Sequence, residues 1–279
     1  MQGIIWLASY PKSGNTWVRA FLTNLLSGSP DPVPLSEMAK LINGENMAIW
    51  YRKFLSDDFP IDDDVEVSRN RGLIQYRLAA HAQAMLFLKT HSYLGQAHGH
   101  DIFNMDVTRA AIYIVRNPLD VVVSAAPHYN LSIDETIELM ANQNMTSEPN
   151  DKQVFEKQTD WSTNVRSWTQ VPSPSLLVLR YEDLLANPRK HFTKLVRFLN
   201  IDVSAKQIQQ AIRNSSFKSL KSLEQKQGFA ERPDHAKSFF RKGQTGQWRQ
   251  ILTEAQVREI ILSHHEQMKR FDYIPKDFA

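Results

Sequence analysis

Four short apolar runs, separated by helical patterns, constrain the fold of this chain more than any other feature. Each run is bounded by polar residues, and together they cover residues 4–8, 85–88, 110–115 and 176–179. A parallel strand that is covered on both faces needs apolar residues without alternation, and these runs fit that pattern. The predicted fold class is α/β, a three-layer sandwich in which helices flank a central parallel sheet.

Helical periodicity occupies the segments between the runs. Residues 18–26 place apolar side chains on one helix face, and Gly28 offers a stop. Two pairs of residues have capping-box spacing: Ser132 with Glu135, and Thr253 with Gln256. Three polar segments predict loops or lids: the acidic segment 56–64, then 142–151 and 225–235. We find no repeat and no boundary, so a single domain over residues 1–279 is predicted.

Composition excludes several classes of protein. The chain has 33 basic and 30 acidic residues, and a formal charge of +3 is too small to predict a nucleic-acid partner. It has no cysteine, which excludes disulfides and cysteine-ligated zinc. No apolar stretch approaches the roughly 18 residues of a membrane span, and the first apolar run is too short for a secretory signal. We therefore predict a cytoplasmic protein without a membrane span.

The segment after the first apolar run has the parts of an anion site. In YPKSGNTW, residues 10–17, Lys12 supplies a charge, Gly14 permits close backbone approach, and a helix is predicted from Thr16. Free N–H groups and the helix dipole favour an anion at such a helix start. A Walker A loop has a glycine before its lysine, and this loop does not. By itself, the segment fits an ordinary β–α turn equally well.

The loop resembles the 5′-phosphosulfate-binding loop, usually YPKSGTTW, of the sulfotransferases that use 3′-phosphoadenosine 5′-phosphosulfate (PAPS). Residues 112–124, IYIVRNPLDVVVS, look like the 3′-phosphate-binding motif of that family, and residues 239–248, FFRKGQTGQW, look like its C-terminal loop. Shorter matches are LKTH (88–91), LRYEDLLANP (179–188) and SSFKSL (215–220). The resemblance spans nearly the whole chain. It implies a P-loop-like fold and transfer of a sulfonate from PAPS to a hydroxyl or amine of a small-molecule acceptor, with PAP as the product and no metal.

The resemblance also implies roles for the matching residues. Trp17 and Phe217 would stack on the two faces of the adenine, and Arg116 with Ser124 would hold the 3′-phosphate. The full set that would bind the nucleotide is Lys12, Ser13, Gly14, Asn15, Thr16, Trp17, Arg116, Ser124, Tyr181, Ser216, Phe217, Arg241, Lys242 and Gly243. The four residues that would take part in catalysis are His91 as general base, Lys89 beside the transferring group, Lys12 and Ser124.

Physical chemistry agrees with these roles at three positions. Arg116 follows a predicted strand, and Ser124 lies eight residues later, about two turns into the next predicted helix. Both side chains can then converge on one phosphate, which the guanidinium fork fits bidentately. His91 suits a general base, because an ordinary histidine pKa is about 6.5.

The chain departs from the family pattern at a few positions. Asn15 replaces a threonine and still donates hydrogen bonds, and Gln247 replaces an aspartate. The usual dimer motif, KxxxTVxxxE, aligns with Arg249, Thr253, Glu254 and Arg258, so that glutamate replaces its valine and arginine replaces its glutamate. The resemblance therefore leaves the oligomeric state open.

Two other functions compete with this interpretation. A P-loop kinase or NTPase is disfavoured by the order of Lys12 and Gly14. A nucleotide-binding protein without activity is disfavoured by the presence of Lys12, His91 and Ser124.

The acceptor is not identified by the sequence. Aromatic residues that line an acceptor pocket or belong to the core are Phe54, Phe59, Tyr76, Tyr129 and Phe229. Trp161 and Trp168 are predicted in the core, and His264 and His265 on a helix surface.

Overall fold

The computed structural model describes residues 3–278. The strands are β1 (Ile4–Ser9), β2 (Ile42–Gly44), β3 (Leu86–Thr90), β4 (Gln96–Ala97), β5 (His100–Asp101), β6 (Thr108–Val115) and β7 (Leu176–Arg180). The helices are α1 (Asn15–Ser27), α2 (Leu35–Leu41), α3 (Ala48–Phe54), α4 (Asp64–His81), α5 (Pro118–Tyr129), α6 (Ile133–Ala141), α7 (Trp161–Thr169), α8 (Tyr181–Ala186), α9 (Pro188–Phe198), α10 (Ala205–Asn214), α11 (Phe217–Gln227), α12 (Trp248–Ile251) and α13 (Glu254–Arg270). Within residues 3–278, no helix is long and apolar enough to cross a membrane.

The main sheet has five strands in the order β2-β3-β1-β6-β7. Strand β3 pairs in parallel with both β1 and β2, and Trp6 on β1 stands opposite Leu88 on β3. All six residues of β1 are buried, as a strand covered on both faces requires. The four predicted strands are confirmed, with bounds that differ by at most two residues. The predicted α/β fold with a central parallel sheet and flanking helices is confirmed as well.

The chain divides into two compact units, and each is made of three separate chain segments. The segments of the first unit are Met1–Tyr10, Ile42–Tyr113 and Met140–Val178. The segments of the second unit are Pro11–Leu41, Ile114–Leu139 and Leu179–Ala279. A single domain over the whole chain remains a prediction.

Aromatic side chains fill the core of the first unit. Trp6 is fully buried, and its ring meets Phe103 edge to face with 4.8 Å between ring centroids. Phe103 also contacts Trp168 at 4.9 Å, and Trp161 is completely buried. The prediction that Trp161 and Trp168 belong to the core is therefore confirmed.

Helix α1 begins the second unit and is buried along most of its length. It starts at Asn15, one residue before the predicted start. It ends at Gly28, whose left-handed conformation lets its N–H donate to the Leu25 carbonyl. Phe21 of α1 stacks on Phe192 of α9, with 4.0 Å between ring centroids.

One prediction about helix α13, that His264 lies on its surface, is wrong. His264 is buried rather than on the surface. It lies three residues after Ile261 and seven after Val257, so helical spacing places it on the apolar face of α13. His265 is exposed, as predicted.

A buried ion pair joins α4 to the segment after β2 in the first unit. Arg71 and Glu45 are both almost completely buried, and 2.5 Å separates Nη1 of the guanidinium from Oε1 of the carboxylate. The other terminal nitrogen of Arg71 donates to the Phe155 carbonyl at 2.6 Å. Burial raises the pKa of Glu45, and the charge of Arg71 opposes that shift. Removing either partner would leave the other charge buried without compensation.

We expect Arg71→Met to lower the free energy of unfolding by about 3–5 kcal/mol, because Glu45 would remain as an uncompensated buried carboxylate. The matched control is Arg258→Ala, which removes an exposed helical pair with Glu254. Such a pair contributes at most about 1 kcal/mol. Urea unfolding of both variants measures the difference, and equal losses would contradict a special role for the buried pair.

Candidate active site

The loop between β1 and α1 approaches an aromatic ring at Gly14. This glycine is the N-cap of α1 and has a φ of 104°, a conformation that L side chains rarely adopt. A Cβ atom at this position would lie 2.6 Å from Cδ2 of Tyr181. Two residues before it, Lys12 also has a positive φ, of 65°. The loop therefore has little room for another side chain, and it leads directly into the exposed N–H groups of a helix start.

Ser13 supports the prediction of an anion site at this helix start. Its hydroxyl oxygen is buried and has no hydrogen-bond partner among residues 3–278. A buried polar atom without a partner is rare in folded proteins. Together with the helix dipole of α1, the hydroxyl offers a donor to an anion.

Lys12 lies among other cations. Its Nζ atom is 4.2 Å from the centroid of the Phe239 ring. The pKa of Lys12 is lowered to about 7, mainly by burial and in addition by the charges of Arg241 and Arg116, while Glu231 opposes the shift. A negative ligand beside these three side chains would favour the charged form of Lys12.

Arg116 connects three parts of the second unit. Its terminal nitrogens donate to the carbonyl of Lys12 at 3.0 Å and to the carbonyl of Gln244 at 3.2 Å. Its guanidinium carbon lies 4.4 Å from the centroid of the Tyr181 ring. The remaining nitrogen, Nε, is buried and has no partner among residues 3–278. Arg116 thus holds the loop after β1 and the C-terminal loop together and keeps one donor available.

Arg241 lies beside Ser124 because of a proline inside α5. Pro127 has no N–H group, so the Val123 carbonyl, four residues earlier, lacks its helical donor. Arg241 donates to this carbonyl at 3.1 Å and to the Ser124 carbonyl at 3.3 Å. The proline therefore creates an acceptor that holds the Arg241 guanidinium next to the Ser124 residue predicted to share its ligand.

Asp120 fixes the C-terminal loop on the first turn of α5. Its carboxylate accepts the N–H groups of Gly246 at 2.7 Å and of Trp248 at 3.3 Å. Asp120 is buried. Sequence reasoning missed this residue, although a lone acid in the first turn of an otherwise apolar helix was an available signal.

The residues predicted to hold adenine surround a common apolar cluster. Trp17 and Phe217 pack on the buried cluster that includes Ala20 and Leu220. Trp17 also meets Tyr181 edge to face at 5.8 Å. At Gly243, where φ is 60°, a Cβ atom would lie 2.3 Å from the Phe217 ring.

Three other residues predicted to bind the nucleotide make fewer contacts that bear on the site. The Ser216 hydroxyl caps α11 by accepting the N–H of Ser219 at 3.3 Å. Thr16 is half-buried in the first turn of α1, and Lys242 is exposed. Every predicted nucleotide-binding residue belongs to the second unit, whereas Lys89 and His91 belong to the first.

In the first unit, one buried carboxylate contacts both predicted catalytic residues. Oε1 of Glu156 accepts the backbone N–H of His91 at 2.7 Å, and Oε2 lies 3.5 Å from Nζ of Lys89. Burial alone would raise the pKa of Glu156, but Lys89 and His91 hold it below its usual range. Glu156 is therefore an ionised, buried anchor for both residues. No motif in the sequence indicated it.

Hydrogen bonds fix the orientation of the His91 ring. Its Nδ1 atom lies 2.8 Å from the carbonyl oxygen of Ser9 and 3.3 Å from the Ser9 hydroxyl. A carbonyl only accepts, so Nδ1 carries the hydrogen in the neutral ring and Nε2 is the basic atom. The His91 carbonyl accepts from Asn164 at 2.9 Å, and Asn164 in turn accepts from Tyr113 at 2.7 Å. This arrangement suits an imidazole that removes a proton through Nε2.

Comparison with known proteins identifies the class. The sulfotransferase domain family matches residues 3–272, and this chain belongs to that family. Sulfotransferase 1B1 of Canis lupus familiaris is 26% identical, over 95% of this chain and 83% of its own length. Sulfotransferase 1A1 of Rattus norvegicus is also 26% identical, over 96% of this chain and 85% of its own length. The predicted enzyme class, a sulfotransferase, is confirmed.

Solved structures share the fold. Mouse sulfotransferase SULT7A1, complexed with PAP, aligns with a TM-score of 0.63 and 22% identity, over 98% of this chain and 86% of that one. Retinol dehydratase, in complex with androsterone and PAP, aligns with a TM-score of 0.63 and 20% identity, over 95% of this chain and 80% of that one. At these identities, the likeness supports the fold.

The two glycines of the C-terminal loop give a matched test of the adenine site. Gly243 and Gly246 both have positive φ, but only Gly243 faces a ring, and nothing lies within 4 Å of a Cβ at Gly246. We expect Gly243→Ala to weaken PAP binding about tenfold or more by displacing Phe217, which corresponds to about 1.4 kcal/mol. Gly246→Ala carries the same backbone strain and should change the affinity by less than about threefold. Calorimetric titration with PAP measures both affinities. Similar losses in the two variants would contradict a contact between Phe217 and the nucleotide.

Proposed function

We propose that this sulfotransferase moves a sulfonate from PAPS to a hydroxyl or amine of a small-molecule acceptor. The observation that carries the proposal is the cationic helix start of the second unit. There, the charges of Arg116 and Arg241 act on Lys12, and the Ser13 hydroxyl is buried without a partner among the described residues. These groups fit an anion with several negative oxygens.

The nucleotide has two phosphate positions to satisfy, and the second unit supplies cations for both. Lys12, Ser13 and the N–H groups of α1 are assigned to the 5′-phosphosulfate. Arg116, Ser124 and Arg241 are assigned to the 3′-phosphate, because Arg241 already lies on the Ser124 carbonyl. The adenine belongs between Trp17 and Phe217, which pack on one apolar cluster.

His91 is assigned as the general base. PAPS supplies an activated sulfonate, whose bond to the 5′-phosphate oxygen breaks as a bond from sulfur to the acceptor oxygen forms. The Nε2 atom of His91 takes the proton that the acceptor hydroxyl loses, because Nδ1 is held by Ser9. Lys12 is assigned to the negative charge that grows on the leaving phosphate.

Other parts of the assignment stay predictions. Reaction without metal, a location in the cytoplasm and a small diffusible acceptor are predictions from the sequence. The structure of the altered dimer segment shows an exposed ion pair between Glu254 and Arg258. The order of Lys12 and Gly14 in the loop disfavours the competing kinase interpretation.

The first experiment compares the binding of adenosine 3′,5′-bisphosphate (PAP), ADP and ATP by calorimetry in metal-free buffer. Tight binding that requires the 3′-phosphate would support the proposal and justify an acceptor screen with PAPS. A preference for ATP, or no binding of PAP, would overturn it.

We expect His91→Ala to reduce kcat by about a hundredfold or more, because a general base contributes roughly that much. PAP affinity should be unchanged, since the nucleotide contacts are assigned to other residues. Turnover is measured with labelled PAPS and the acceptor that the screen identifies. The exposed His265→Ala variant is the control, and wild-type turnover by His91→Ala would remove the assignment.

PAP binding at pH 8 should take up a proton at Lys12. Because the pKa of Lys12 is lowered to about 7, the side chain is mostly neutral at pH 8 without a ligand, and phosphate raises that pKa again. We expect an uptake of about 0.9 proton, since phosphate monoesters are already ionised at this pH. Calorimetry in two buffers of different ionisation enthalpy measures the uptake. Lys12→Arg stays charged and should abolish it, and an unchanged uptake in that variant would contradict the assignment.

A further inference from the structure

A pocket of about 340 Å³ in the second unit has a lining that nucleotide binding alone does not explain. Its walls come from the C-terminal end of α5, from residues 233–241, and from Lys12. Five lining residues carry a basic or imidazole side chain, and none of the described residues that line the pocket is acidic. The pocket is therefore suited to negative charge.

The nucleotide assignment uses only part of this lining. Lys12, Ser124 and Arg241 belong to motifs that resemble the PAPS site. His128, His235 and Lys237 also line the pocket, and none of them lies in those motifs. They add nitrogen donors beyond those assigned to the two phosphate positions.

The Phe239 ring lies between His128 and Lys12, the lysine assigned to the phosphosulfate. One face of its ring meets Nζ of Lys12 at 4.2 Å, and its centroid lies 6.1 Å from that of the His128 ring. His128 is therefore one aromatic ring away from the lysine assigned to the phosphosulfate. The pocket wall therefore includes the lysine assigned to the phosphosulfate end of the nucleotide.

The loop that carries His235 and Lys237 is held in place at the end of α5. Nε2 of His235 lies 3.2 Å from the Pro127 carbonyl, and since a carbonyl only accepts, Nε2 is the donor. Ser238 donates to Glu224 at 2.8 Å on the other side of Lys237. The loop thus has an anchor on each side of the Lys237 ammonium.

We infer that this pocket binds an acceptor that carries a carboxylate in addition to its reacting hydroxyl. His128 and Lys237 recognise the carboxylate, and Phe239 covers the apolar part between the two groups. The inference rests on the proposed function, because it places the acceptor beside a bound nucleotide.

The test begins with protein saturated with PAP, followed by calorimetric titration with 4-hydroxyphenylacetate and with its methyl ester. The two probes share the hydroxyl and the ring and differ in the negative charge. We expect the carboxylate to bind about tenfold tighter or more, because charged hydrogen bonds are the stronger ones. Failure to bind PAP would overturn the proposed function together with this inference. Three outcomes would overturn the inference alone if the protein binds PAP. The two probes could bind with equal affinity, the ester could bind more tightly, or the carboxylate could fail to bind at millimolar concentration.

Two variants locate the preference in the pocket. Lys237→Gln and His128→Gln should each lose most of the preference for the carboxylate while PAP affinity and ester affinity stay unchanged. Lys226→Gln removes the same charge from an exposed position on α11 that does not line the pocket, and it should keep the preference. A preference that survives in both pocket variants, or that disappears in the control, would contradict recognition by this lining.

Discussion

Burial of the parallel strands on both faces decides where polar chemistry can occur in this chain. The six residues of β1 are all buried, and the cationic loop begins only after the strand ends. Arg116 likewise follows the last residue of β6, and Tyr181 follows the last residue of β7. Side chains within covered strands must be largely apolar. The residues predicted to bind an anion therefore lie in the segments that follow the strands.

The two groups of predicted site residues differ in how their buried charges are compensated. In the first unit, Glu156 is an ionised carboxylate that holds both Lys89 and the backbone of His91. In the second unit, burial is the largest cause that lowers the pKa of Lys12, the charges of Arg241 and Arg116 lower it as well, and Glu231 opposes the shift only in part. One group is compensated within the protein and is suited to orienting a base. The other lacks such compensation and is suited to a negatively charged ligand.

Local backbone geometry explains why short motifs mark the predicted nucleotide-binding residues. Gly14 and Gly243 both need positive φ and both face an aromatic ring closely, so these positions tolerate little else. By contrast, Asp120, Glu156 and Asn164 act through contacts with residues far away in the chain. Pro127 was visible in the sequence, but its effect depends on Arg241, which lies more than a hundred residues later. No local pattern could reveal such partners.

The amino-acid sequence was enough to predict four strands of the main sheet, the starts of α1, α6 and α13 to within one residue, and the family of the chain, because these depend on neighbouring residues and on short motifs. Anion binding by the loop after β1 remains a prediction from the sequence. The sequence did not indicate that Glu156 anchors the backbone of His91. Only the tertiary structure decided which side chains meet in the pocket lined by His128 and Lys237. The physical reason is that burial, charge compensation and cavity shape depend on contacts between distant segments, and the periodicity of one segment carries no record of them.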